Sequence, residues 1–319
     1  MKVRFVKMQA AGNDFVLVDE WEREAVLDVK KAHFASFACR RHWSVGSDGV
    51  IFVQRSGTCD GRFLFYNPDG TTAEMDGNGI RCFAKYLFES GYTDKTEVSV
   101  ETQAGRKGIV LSVSDGSVKK VRVDMGPPQL RLAEVKVAGS PGDTFINQPL
   151  EVGEETYYVT AVGMGNPHAV VFVDDVKSMD VVGAGRGIRN LRDVFPKGVN
   201  VHFVQVHGAN EFLIRSYERG VEDETLACGT GVCAAAVAAV LNRKADPGKP
   251  ILFRAPGGIL TVELKTDGEN FLDVDLIGEA VDVFRGKLEY EPMDAFEKAA
   301  FGYFSNILPK GADPLLRQS

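Results

Sequence analysis

Asp76-Gly77-Asn78-Gly79-Ile80-Arg81-Cys82 and Cys228-Gly229-Thr230-Gly231-Val232-Cys233-Ala234 follow one pattern twice, with Asp76 and Cys228 152 positions apart. Each places a polar side chain, then Gly-x-Gly, ahead of an apolar run. Working outward, two further pairs keep nearly the same spacing. Ala11-Gly12-Asn13-Asp14-Phe15 is echoed by Met164-Gly165-Asn166-Pro167-His168, the two Asn 153 apart. Tyr66-Asn67-Pro68-Asp69-Gly70 is echoed by Tyr217-Glu218-Arg219-Gly220, the two Tyr 151 apart. With glycine at 34 of 319 positions, chance supplies one such pair easily but not three in the same order at one offset. The chain therefore reads as a duplication, each half of about 150 residues, an ordinary domain length.

The local grammar of the halves agrees. Alternating apolar segments predict strands at 62–66, 98–102, 109–113 and 118–124, then at 157–162, 169–173, 199–206 and 211–217. A helix is predicted from each glycine motif, over 80–89 and 232–242, and another near 27–37. The run from Val232 to Leu241 is apolar almost all round, which places that helix inside a core; a strongly curved sheet wrapped around it satisfies that demand. Pro127-Pro128 is a natural seam. The expected layout is 1–126 as the first half, 127–283 as the second, and 284–319 as a closing strand with a helical tail. In that tail Met293, Phe296, Ala300, Phe304 and Ile307 recur at helical spacing up to Pro309. Docking on the protein's own body is the favoured role for this helix, with dimerisation the alternative.

Composition removes several function classes. A net charge of −7 gives no electrostatic reason to bind nucleic acid or an anionic membrane. No apolar run is long enough to span a bilayer, and residues 1–17 alternate like a strand rather than following signal-peptide order. Five cysteines, at 39, 59, 82, 228 and 233, do not form a disulfide framework, so a reducing cytoplasm is expected.

Cys228 is the most chemically suggestive of the five. A helix start offers unpaired N–H groups and positive potential, which suits a carboxylate ligand and is expected to lower a thiol's pKa. The other four cysteines read as small buried hydrophobes. Gly229-Thr230-Gly231-Val232-Cys233-Ala234 also fits a loose dinucleotide fingerprint, but a polar loop precedes it and no ribose-binding acid follows. No metal-ligand spacing is evident. His202 and His207 lie five apart on one predicted strand and so point to opposite faces, and with His33 and His42 they read as structural or surface residues.

Taken together, Ala11-Gly12-Asn13-Asp14-Phe15, Asn67-Pro68-Asp69-Gly70, Ala73 through Cys82, Gly165-Asn166-Pro167-His168, Val199-Asn200, Tyr217-Glu218-Arg219-Gly220 and Ala227 through Gly231 resemble diaminopimelate epimerase, in order from residue 7 to about residue 285. The resemblance implies an α/β (α+β) fold of two pseudo-symmetric halves. Each would be a curved, mostly antiparallel sheet or barrel around a central helix, with the active site between them. It implies interconversion of L,L- and meso-diaminopimelate by two-base proton transfer at the α-carbon, for lysine and cell-wall synthesis, with no pyridoxal phosphate, metal or other cofactor. By the same resemblance Cys228 is one of two catalytic thiols, and Gly77, Asn78, Gly229 and Thr230 present N–H groups to the α-carboxylate. Asn13, Asn67, Asn166, Asn200 and Arg219 hold the distal end of the substrate, while His168 and Glu218 meet the reacting α-amino group. A turn-forming role is the alternative for the asparagines.

One residue departs from the family pattern. Asp76 stands where the other thiol belongs. With an unperturbed pKa of about 3.9, an aspartate is mostly ionised at neutral pH, a poor donor and a weaker base than a thiolate. Burial would raise that pKa and the helix-start N–H groups would lower it. Two-base epimerisation is therefore expected to be impaired. The alternatives are a relative performing one-sided α-proton exchange, elimination or racemisation on another amino acid, and a non-catalytic amino-acid-binding protein.

Overall fold

The computed structural model describes residues 1–268 and 270–291; the predicted 293–307 helix lies outside them. The chain divides into two compact units, Lys119–Glu279 and a unit formed by Met1–Val118 with the chain from Ala280 onward. The sequence pattern puts the seams at 126/127 and 283/284. The division falls earlier because strand pairing governs it, as described below.

The first unit runs β1 (Lys2–Ala10), β2 (Asn13–Asp19), α1 (Asp28–Ala38), β3 (Gly49–Gln54), β4 (Gly61–Tyr66), β5 (Thr72–Ala73), α2 (Gly79–Glu89), β6 (Glu97–Thr102) and β7 (Gly105–Ser114). The chain then continues through β8 (Ser117–Asp124), α3 (Leu132–Val135), β9 (Gln148–Val152), β10 (Glu155–Gly163), β11 (Pro167–Phe172), α4 (Val181–Arg189), β12 (Asn200–Gly208), β13 (Glu211–Glu218), β14 (Asp223–Thr225), α5 (Gly229–Leu241), β15 (Ile251–Ala255), β16 (Gly258–Asp267) and β17 (Asn270–Gly278). Strand β18 (Val281–Glu289) pairs antiparallel with β1, and β8 pairs antiparallel with β17. These two pairings assign each strand to its unit.

The duplication is visible in the hydrogen-bond ladders. In the first unit β1–β2 is antiparallel, β2–β3 parallel, β3–β4 antiparallel, β4–β6 parallel and β6–β7 antiparallel. In the second, β10–β11, β11–β12, β12–β13, β13–β15 and β15–β16 repeat that series of senses. The short β5 and β14 pair antiparallel with β4 and β13 at matching places. The strand predicted over 1–17 is a hairpin, broken where Ala11 (φ 52°) and Gly12 (φ 80°) turn the chain.

Each unit wraps its sheet around one buried helix. Helix α2 lies against β1, β2, β3, β4 and β7, and α5 against β10, β11, β12, β16 and β17. Every residue of α5 from Val232 to Ala239 is fully buried, as an all-apolar helix requires. A second layer of core lies on the other side of each sheet. Phe34 of α1 packs there with Phe52 and Tyr290 in the first unit, and Ile188 of α4 with Phe203 and Tyr217 in the second. No helix among the described residues is long and apolar enough to cross a membrane.

Helix α4 escapes the sequence pattern, because Val-Val-Gly-Ala-Gly-Arg-Gly-Ile-Arg reads as loop by propensity. It is the repeat counterpart of α1, and its glycines are packing devices. A Cβ at Gly185 would lie 2.5 Å from Tyr217 Cβ, and one at Gly187 would lie 2.3 Å from Val152 Cγ1. Removing those atoms lets the helix seat against the sheet. Gly185→Ala is expected to destabilise by about 1 kcal/mol or more in urea unfolding, overpacking outweighing alanine's helix preference. A stabilised variant would refute the packing role.

Candidate active site

The two repeated motifs form the N-termini of the two buried helices, and their local geometry matches. Asp76 Oδ1 accepts the backbone N–H groups of Asn78 at 3.0 Å and Gly79 at 2.6 Å. In the second unit the N–H of Gly231, also three residues on, favours the ionised Cys228 sulfur without a cap hydrogen bond to it, and Sγ is 3.6 Å from Thr230 Oγ1. The carboxylate thus takes the position of a thiol and the same class of donor. It takes more besides. The Asn78 N–H, which the resemblance reserves for a substrate carboxylate, is already bonded to Asp76.

Burial decides both acid–base groups. It pushes the Asp76 carboxyl above the usual aspartate range, outweighing the N–H groups of Gly79 and Asn78 and the nearby Arg81. The expected lowering at Cys228 does not occur. Burial, reinforced by the Glu218 carboxylate, pushes this thiol well above its ordinary value despite Thr230 and the Gly231 N–H. Cys228 is therefore a thiol at rest, a proton donor rather than a ready nucleophile.

Around Asp76 the first unit assembles a polar network. The wholly buried Arg81 donates to Gly77 O at 2.9 Å and to Asn78 Oδ1 at 2.8 Å, fixing the turn before α2. Asn78 Nδ2 reaches Asn13 Oδ1 at 3.3 Å, and Asn13 Nδ2 donates to Asp48 Oδ2 at 2.7 Å. Arg41 bridges Asp14 and Asp48 at 2.7 and 2.8 Å. Asn67 instead donates to Thr71 Oγ1 at 3.0 Å within its own turn. Asp48 and Arg41 carry no sequence signal except that Asp48 lies 152 positions before Asn200.

In the second unit the polar residues converge on His168. Its Nε2 meets Asn166 Oδ1 at 2.7 Å, and its Nδ1 meets His202 Nε2 at 2.9 Å. Asn200 Oδ1 accepts the Arg219 backbone N–H at 2.8 Å, and Glu218 accepts from Thr225 Oγ1 at 2.5 Å. Burial, then the neighbouring His202 and Arg219, holds His168 well below the ordinary histidine range, so it is neutral. His202 is neither loose nor at the surface. It is completely buried, and its Nδ1 lies 2.8 Å from Ser216 Oγ. Its place on β12 two residues from Asn200, hence on the same face, was the signal available for it. His207 is exposed. Among the cysteines, Cys39, Cys82 and Cys233 are buried as expected, whereas Cys59 is only half-buried, in a surface turn; all five are free.

Comparison with known proteins adds to this geometry. The sequence model of the family described as diaminopimelate epimerase matches residues 5–131 and 160–283. The chain belongs to that family. It is 41% identical over 293 residues to a diaminopimelate epimerase of Agathobacter rectalis, covering 90% of this chain and 99% of the relative. The identity is also 41% over 291 residues with the diaminopimelate epimerase of Methanothermobacter thermautotrophicus, covering 91% and 100%. Among solved structures, a hydroxyproline epimerase of Agrobacterium vitis superposes with a TM-score of 0.66 at 17% identity, over 90% of this chain and 92% of that one. That likeness is one of fold alone.

The raised Asp76 pKa has a thermodynamic sign. Its contribution to stability is fully present below the unfolded aspartate value of about 3.9 and is lost as pH rises through the higher folded value. The stability of Asp76→Asn relative to the parent is therefore expected to improve as pH rises across that window, measured by urea unfolding at several pH values. A trend in the opposite direction would mean that the N–H groups, not burial, dominate at Asp76.

Proposed function

We propose that this chain acts on diaminopimelate as an epimerase weakened in one of its two acid–base groups. The observation that carries this reading is the equivalence of Asp76 and Cys228, each at a buried helix start with an N–H three residues on that favours its ionised form. Inversion of a stereocentre needs one group to remove the α-proton and another to deliver a proton to the opposite face. In one direction an ionised Asp76 oxygen takes the α-proton, and the Cys228 S–H protonates the carbanion from the other side. The products are a carboxylic acid at 76 and a thiolate at 228, with no electrons transferred to or from the protein. The reverse direction starts from the carboxylic acid at 76 and the thiolate at 228, the thiolate taking the α-proton and Asp76 delivering its own to the carbanion. It costs more because burial and the Glu218 carboxylate disfavour the thiolate.

The remaining residues fit supporting roles. The N–H groups of Gly229 and Thr230 are directed at a substrate α-carboxylate, stabilising the charge that spreads into it. The first-half donors, Gly77 and Asn78, contribute less because Asp76 competes for Asn78. Neutral His168 and Glu218 hold the α-amino group. Asn13, Asn166, Asn200 and Arg219 hold the distal amino-acid end, with Asn67 supporting the turn beside them. A cytoplasmic setting suits five free cysteines, and a homodimer is part of the same proposal.

One-sided exchange is the second reading, favoured by the N–H bonds that tie Asp76 down. Incubating each diaminopimelate stereoisomer in D₂O separates the two. Epimerisation predicts deuterium first in the inverted product and in recovered substrate only through back reaction, whereas exchange alone labels substrate without inversion. Asp76→Cys is expected to raise the inversion rate by about 10²-fold or more, the usual worth of a matched acid–base group. No gain in a folded Asp76→Cys protein would overturn the reading of Asp76 as the weakened partner.

A further inference from the structure

Beside Cys228 stand two imidazoles whose arrangement goes beyond what proton transfer needs. His168 Nδ1 and His202 Nε2 face each other at 2.9 Å, and the Cys228 sulfur completes a cluster whose ligand atoms lie within 4.8 Å of one another. The outward nitrogens are each held by an oxygen, His168 Nε2 by Asn166 Oδ1 and His202 Nδ1 by Ser216 Oγ. An amide oxygen only accepts, so His168 carries its proton on Nε2 and turns the Nδ1 lone pair inward.

His202 then has two satisfied states, set by the Ser216 hydroxyl. With Ser216 donating to Nδ1, the His202 Nε2–H donates to His168 and the cluster is closed without a ligand. With Ser216 accepting from Nδ1–H, both inward nitrogens present lone pairs, which only a cation between them satisfies. Outward hydrogen bonds of this kind orient metal-bound imidazoles. Both rings are neutral, as ligation requires, His202 being pushed down to about 3 by burial. Gly231 pins the second ring, since a Cβ there would lie 2.1 Å from His202 Cε1.

We propose that His168, His202 and Cys228 form a site for a zinc-class divalent cation that blocks the Cys228 thiol. Two imidazoles and a thiolate suit borderline-soft ions and exclude calcium and magnesium. With metal–nitrogen bonds of about 2.0–2.1 Å, tetrahedral geometry asks the two nitrogens to separate by only about 0.4 Å. On binding, the Cys228 S–H bond breaks, its proton goes to solvent and the sulfur lone pair forms the new bond; nothing is oxidised or reduced. Binding stands on the cluster alone, whereas inhibition rests on the role proposed for Cys228.

Cobalt(II), added to the reduced full-length chain without substrate, tests binding directly. The expected result is one cobalt per chain, with the near-ultraviolet thiolate-to-cobalt charge-transfer band and the intense visible bands of a tetrahedral ion. Cys228→Ser is expected to remove the charge-transfer band, and His202→Gln to weaken binding more than about tenfold. Zinc should displace the cobalt and slow deuterium exchange at the substrate α-carbon, with reversal by a chelator. Absence of the band in the parent overturns the proposal, as does a band that survives in Cys228→Ser. Near-ultraviolet circular dichroism establishes that each variant is folded; if His202→Gln is not, Ser216→Ala replaces it, with binding about tenfold weaker expected and unchanged binding counting against the site. Loss of deuterium exchange in the parent without loss of cobalt binding would count against the epimerase reading and leave the metal site standing.

Discussion

A buried helix cannot leave its first N–H groups to water, and that constraint bears in both halves of this chain on the residue three positions before a first-turn glycine. The helices that begin at Gly79 and Gly229 are enclosed by their own sheets, so their orphan donors need partners within the fold. Asp76 supplies an oxygen; Cys228 stands at the equivalent place, its sulfur 3.6 Å from Thr230 Oγ1 and without a cap hydrogen bond of its own. Once a polar atom is committed there, the glycines that follow are needed for close approach: a Cβ at Gly79 would sit 3.3 Å from Asp76 Oδ1, and one at Gly231 would strike His202. At Asp76, structural capping and acid–base chemistry are thus demands on the same atom.

The enclosure also sets the electrostatics. Donors alone would lower both pKa values, but the surrounding apolar helices and strands remove the water that would solvate a charge, and that cost is larger at both positions. For a thiol, the outcome is a proton held ready for delivery. For a carboxyl, it is a tension. The ionised form satisfies two N–H groups better than any thiol, yet it is less favourable in its surroundings than in water.

Much of this was legible in the sequence because duplication leaves its mark twice. The offset near 152 alone locates both helices, both glycine motifs and the equivalence of Asp76 with Cys228. Local propensity could not find α4, whose glycines matter only for what they touch, Tyr217 and Val152, residues distant in sequence or strand order. For the same reason the sequence leaves His202 open between a structural and a surface role. Strand alternation separates it from His207 but says nothing of Ser216 on the neighbouring β13 or of His168 on β11, and those contacts give it its environment. The direction of the Cys228 shift needed a comparison between helix-start donors and burial, which motif reading cannot weigh.

What holds the first motif in place is largely independent of residue 76, and this bears on how the substitution is tolerated. Arg81 ties Gly77 and Asn78 from behind, Asn78 is linked to Asn13, and Asn13 to Asp48, so the turn before the helix is fixed by groups other than the Asp76 side chain. A thiol or a carboxylate can therefore occupy the position without redrawing the backbone around it. The change is concentrated where chemistry occurs: in the charge at one atom, and in the Asn78 N–H that this atom consumes. Fold and capping are preserved while anion binding and proton transfer are altered, as expected when scaffold and reacting atom are secured by separate interactions.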